Sequence, residues 1–118
     1  MDTVSDLLSV LKYGRSKARK AAEMWEASGK KLTQDTYKRR LRDLSSEARK
    51  LGHRVIGDDT GYYIALTDKE WDDYSHRRFA AIKDELVSLA KPQGIAVQDL
   101  IKLVYKVNVT DNNYSLEL

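Results

Sequence analysis

Cysteine is absent from this chain, and among its 118 residues there are only one proline, one phenylalanine and two histidines. Without cysteine there can be no disulfide, thiolate metal site or cysteine nucleophile. His53 and His76 stand apart, with neither an evident nucleophile nor a second histidine at ligand spacing. Asp72, Asp73 and His76 have the chemistry of metal ligands, but one histidine among surface carboxylates is ordinary helix composition, so no metal is expected. No glycine-rich loop of the phosphate-cradling or dinucleotide-binding kind is present, and no cofactor is expected. The paired carboxylates Asp58–Asp59 sit in turn material rather than in any recognisable acid–base constellation. A non-enzymatic function is the expectation. No stretch approaches the roughly 18 consecutive apolar residues of a membrane span, and MDTVSDLLSV lacks the basic start of a secretory signal. No membrane partner and a cytoplasmic location are expected.

What is present is enough for a packed core, since 42% of the residues are apolar and seven are tyrosine. The length suits one domain with room for an appendage. The net charge of +3 conceals an asymmetry. Residues 1–57 carry 14 Lys/Arg against 7 Asp/Glu, or +7, whereas residues 58–118 carry 7 against 11, or −4. Such a split favours a polyanionic partner for the first half without choosing among DNA, RNA and an acidic protein.

Val4, Leu7, Leu8 and Leu11 recur at helical spacing before Gly14. A second helix is expected from about Ser16 to Ser28, with Ala18, Ala21, Ala22 and Trp25 inward. Arg15, Lys17, Arg19 and Lys20 would then crowd its start, where the helix dipole disfavours cations. Either screened repulsion or a nearby polyanion accounts for that crowding. Thr33 or Asp35 should cap a third helix. Its Tyr37, Leu41, Leu44, Ala48 and Leu51 fall four, three, four and three residues apart, which makes one apolar stripe. Lys38, Arg39, Arg42, Ser45, Ser46 and Arg49 are expected to lie away from it. Gly52 stops the helix. HRVI and YYIAL, joined by GDDTG, read as a β-hairpin in which Gly57 and Gly61 supply unusual φ values. Tyr62 and Tyr63 must face opposite sides of their strand. Thr67 or Asp68 caps a long helix ending near Ala90, before Lys91–Pro92. Val97, Leu100, Ile101 and Val104 suit a short helix. Leu103, Tyr105, Val107 and Val109 alternate as in a strand, and TDNN before YSLEL suggests a terminal hairpin.

Three helices followed by a two-stranded hairpin match the order of a winged helix-turn-helix, an α+β fold. The expected organisation is a winged-helix domain over residues 1–91 and an appendage over 92–118. RRLRDLSSEARKLGHRVIGDDTGYYIALTDKEWDDY also resembles the core of small winged-helix DNA-binding proteins encoded by bacteriophages and prophages. The resemblance covers roughly residues 4 to 90. It implies that Arg39 and Arg42 sit on the recognition helix and that Gly52 ends it. Val55–Ile56 would form the first wing strand, and Gly61–Tyr62–Tyr63 would open the returning one. It departs at Ser45 or Ala48, where the family carries a larger aliphatic residue, and in the 27 residues that follow Lys91.

The expected function is duplex DNA binding in phage regulation or replication, in a bacterial cytoplasm or that of the phage's host. The expected contacts are Arg15, Lys17, Arg19, Lys38, Arg39, Arg42, Ser45, Ser46, Arg49 and Arg54. Arginines on a helix that enters the major groove supply phosphate attraction and base-edge contacts. Asp58 and Asp59 would repel phosphate, so the helix should carry more of the binding than the wing. The apolar final segment must pack on its own domain or on a second copy, and the second case gives a homodimer. The competing reading is a non-catalytic adaptor on the same scaffold, bound to a host or phage protein through its acidic wing and C-terminal half.

Overall fold

The computed structural model describes residues 1–105, with side chains to Ile101. Five α-helices and one hairpin follow in the order α1 Val4–Val10, α2 Ala21–Ala27, α3 Gln34–Lys50, β1 Val55–Asp58, β2 Gly61–Ile64, α4 Asp68–Ala90 and α5 Val97–Tyr105. The chain divides within α4 into two compact units, residues 1–74 and 75–118. The first is a winged helix-turn-helix arrangement of α1, α2 and α3, the two-stranded wing and the start of the long helix.

Leu7 and Leu11, Met24, and the α3 residues Tyr37, Leu41, Leu44 and Ala48 bury into one cluster with Val55 of the wing. Strand alternation then builds a second one. Ile56 and Tyr63 point through the other face of the hairpin and pack with Ala65 and Tyr74. The wing is therefore a layer between two clusters. Tyr63 is the core tyrosine, and Tyr62 is half-buried against the first cluster, consistent with their opposite-face placement.

The turn between α2 and α3 is fixed from both sides. Lys30 has a positive φ of 57°, and the Trp25 indole N–H donates to the Leu32 carbonyl at 2.8 Å. Thr33 is the N-cap of α3, its hydroxyl accepting the Thr36 amide. α4 begins at Asp68 with the Thr67 hydroxyl accepting the Glu70 amide at 3.2 Å, and it ends at Ala90, as its sequence signals indicate.

Four local expectations need correction. α2 starts at Ala21 rather than Ser16, because Arg15–Lys17 form a 3₁₀ turn and Ala18–Lys20 are extended. Arg19 exchanges two backbone hydrogen bonds with Tyr62 across a bridge, which a helix through Arg19 could not do. Met24 rather than Ala22 is the buried residue of α2. Leu51 leaves the apolar stripe and is 65% exposed, because it is the C-cap, where the chain turns away. Gly57 has an ordinary φ; its missing Cβ makes room for the Tyr62 ring, which would lie 2.7 Å from one. Gly61 does have the positive φ, 124°, and its Cβ would sit 2.4 Å from the Arg19 carbonyl oxygen.

The second unit contains the rest of α4, a 3₁₀ turn Lys91–Gln93, Gly94 in the left-handed region and α5. Ala90 and Leu100 are its buried apolar residues among those described. Leu103 and Tyr105, read as the start of a strand, belong instead to α5, and the rest of the expected terminal hairpin lies outside the described residues. Among the described residues no helix is long and apolar enough to cross a membrane.

Candidate nucleic-acid interface

α3 has seventeen residues and a cleanly divided surface. At 100° per residue the buried Tyr37, Leu41, Leu44, Ser45 and Ala48 occupy one side. Lys38 and Arg42, four residues apart, form a basic flank beside it, and Arg39 and Ser46 lie further outward. Asp43, Glu47 and Arg40 form the other flank, of mixed charge. Arg39 and Arg42 are exposed, while Lys38 and Ser46 are half-buried. Among the described residues, Lys38, Arg39 and Arg42 form no ion pair. Arg42 stands near the Tyr62 phenol: burial pushes that phenol's pKa up, and the Arg42 and Arg49 cations pull against the shift.

The structure assigns several of the other expected contacts to work within the fold. Ser45 is 1% exposed and donates its hydroxyl to the Leu41 carbonyl at 2.7 Å, so its expected outward position is corrected. It lies about 40° from Leu41 on the helix circumference, within the stripe rather than opposite it. Arg49 is half-buried, donates to the Val55 carbonyl at 3.0 Å and covers the Tyr74 ring with its guanidinium 5.9 Å from the centroid. It fastens α3 to the wing. Arg54 pairs with Asp68 at 2.5 Å. Arg15 lies 4.0 Å from the Asp59 carboxylate, and its amide donates to Glu70. Arg19 is half-buried and donates Nη1 to the Val10 carbonyl. Lys17 is exposed in the 3₁₀ turn. The expected contacts thus separate into a cluster on α3, namely Lys38, Arg39, Arg42 and Ser46, a set engaged within the fold, and the exposed Lys17.

The chain matches no protein-family model, no curated protein and no solved structure.

The acidic wing tip is answered by the chain itself. Besides the Arg15 contact, the Lys20 ammonium donates to the Asp59 carbonyl, and Asp58 accepts the Thr60 amide at 2.9 Å. The tip is a two-residue connection, Asp59–Thr60, between four-residue strands. So short a wing, with acidic residues at its tip, leaves α3 as the larger basic surface. The sequence passes over Lys50 and marks Lys20 only as one of the cations at a helix start. Lys50, eleven residues after Arg39, falls on the same outward line and is exposed; a projection centred on the buried stripe finds it. Lys20 braces the wing tip, and no local pattern announces a contact 39 residues away.

Proposed function

We propose that the first unit binds duplex DNA by placing the Lys38–Arg39–Arg42 flank of α3 in a groove, with the short wing beside the backbone. The observation that carries this reading is the contrast within one domain. Arg40 and Arg54 are paired with Asp2 and Asp68 and Arg15 faces Asp59 at 4.0 Å, whereas Lys38, Arg39 and Arg42 have no anionic partner among the described residues and share a helix surface. A helix is wide enough to fill the major groove, and a helix-turn-helix presents its second member to base edges. Arg39 and Arg42 are then the base-edge or phosphate contacts, and Lys38 and Ser46 phosphate contacts. With this reading goes the role in phage or prophage regulation or replication that the resemblance of residues 39–74 implies. One recognition helix suffices for one short site, and a pair of chains would address paired half-sites.

A salt titration of binding to random-sequence duplex tests the reading. Three phosphate contacts predict a log–log slope of about −3 and a loss of roughly 40-fold between about 50 and 200 mM salt. No binding at the low end would remove the DNA reading and give the α3 surface to a protein partner, as the adaptor alternative requires.

A further inference from the structure

A cavity of about 380 Å³ opens between α1, α2 and the first turn of α3. Its volume falls within the range of small-molecule sites. Met24, Val10 and Ala27 supply apolar wall, and the polar groups are Asp6, Ser9, Arg19, Ser28 and Tyr37. Most of these are already committed. The Ser9 and Ser28 hydroxyls donate to the Asp6 and Trp25 carbonyls, both at 2.6 Å. Asp6 accepts the Asp2 and Thr3 amides in the cap of α1, and those hydrogen bonds hold its carboxyl below the ordinary carboxylate range.

Two donors are left. Tyr37 is 4% exposed, yet its hydroxyl makes no hydrogen bond among the described residues. No buried side-chain polar atom among them lacks a partner, so that oxygen keeps some accessible surface, and Tyr37 is one of the residues that line the cavity. Arg19 has five N–H donors, of which Nη1 makes a single long bond of 3.3 Å to the Val10 carbonyl. Arg19 and Tyr37 both line the cavity, and the Arg19 cation opposes the upward push of burial on the Tyr37 phenol's pKa.

We propose that this cavity is a binding site for a small amphiphilic monoanion, a carboxylate on an apolar body, held by the Arg19 guanidinium and the Tyr37 hydroxyl. The two spare donors, on Arg19 and Tyr37, select a ligand group that accepts, and charge-assisted hydrogen bonds to guanidinium are the strong ones. The exposed Asp6 carboxylate, also on the cavity lining, repels added negative charge and so favours a monoanion over a dianion. The apolar wall takes the ligand body. A DNA phosphodiester is also a monoanion, so the test must separate that source from a free small molecule.

The probes are phenylacetate and hexanoate, each against its neutral amide, titrated into the full chain with amide chemical shifts as the readout. Both acids should shift the Arg19, Met24 and Tyr37 amides saturably, and each amide counterpart should bind about tenfold more weakly or worse. Tyr37→Phe should weaken the acids severalfold while leaving the thermal midpoint unchanged, because the lost hydroxyl has no partner within the fold. Arg19→Gln should abolish the preference for acid over amide; if it fails to fold, Tyr37→Phe still decides. Equal binding of acid and amide would overturn the proposal. So would the absence of saturable shifts at about 20 mM, near the weak limit of fragment binding. Shifts at Arg19 and Tyr37 produced by duplex DNA but by neither acid would also overturn it, assigning the donors to a DNA phosphate. The outcome is independent of whether α3 binds DNA.

Discussion

Arg42 and Leu44 are two residues apart on α3 and meet opposite surroundings, Arg42 exposed and Leu44 6% exposed in the main cluster. Arg42→Ala should weaken duplex binding by about fivefold or more and reduce the salt slope by about one contact, with the thermal midpoint nearly unchanged. Leu44→Ala should instead cost roughly 2–5 kcal/mol of stability, measured by denaturant unfolding. If both variants stayed folded with wild-type affinity, the inner and outer faces of α3 would have no functional meaning. At this scale the apolar stripe was legible because four of its five expected residues obey the helical repeat and bury. Ser45 was misread through its chemistry. A hydroxyl suggests an outward position, but the Leu41 carbonyl one turn earlier accepts its proton inside the domain. Arg49 was misread because its partners, Val55 and Tyr74, lie on other elements.

At the scale of elements, the wing depends on the extended segment before α2. Gly61→Ala would drive a Cβ into the Arg19 carbonyl at a φ that side chains resist. Its expected cost is about 1–3 kcal/mol or more, with faster hydrogen exchange at Tyr62, whose amide donates to Arg19. A result within experimental error of wild type would mean that the segment and the wing do not pack as described. Glu70 ties the same region to α4. Its carboxylate accepts the Leu66 amide at 2.8 Å and the Arg15 amide at 3.0 Å, and those two hydrogen bonds, the Leu66 one foremost, hold its pKa below the ordinary range. A carboxylate depressed in this way contributes stability above its unfolded pKa and loses it as pH falls through the folded value. The thermal midpoint of the wild type should therefore drop in acid, and Glu70→Gln should flatten that dependence while lowering the midpoint at neutral pH. An unchanged acid profile in Glu70→Gln would remove this role. The hairpin, α3 and α4 were legible because capping, periodicity and turn chemistry are local signals. The start of α2 was not, because the Arg19–Tyr62 bridge joins positions 43 apart in sequence.

Over the whole molecule, the +7 of residues 1–57 overstates what a polyanion can use. Arg15, Arg40 and Arg54 face carboxylates of the same chain, and Arg49 is taken up by a carbonyl and a ring. Composition reveals the sum of charges but not their engagement, which is why the list of expected contacts was longer than the α3 cluster. What holds the first unit together is of another kind. The residues that seat α3 against α1, α2 and the wing are aliphatic and aromatic side chains with almost no access to water. Such dry contacts respond to ionic strength hardly at all or grow firmer, whereas attraction between exposed cations and phosphate fades steeply. On the proposed DNA-binding reading, brine should strip the chain from a polyanion while leaving the folded body whole, so that release becomes a reversible act and not a form of denaturation.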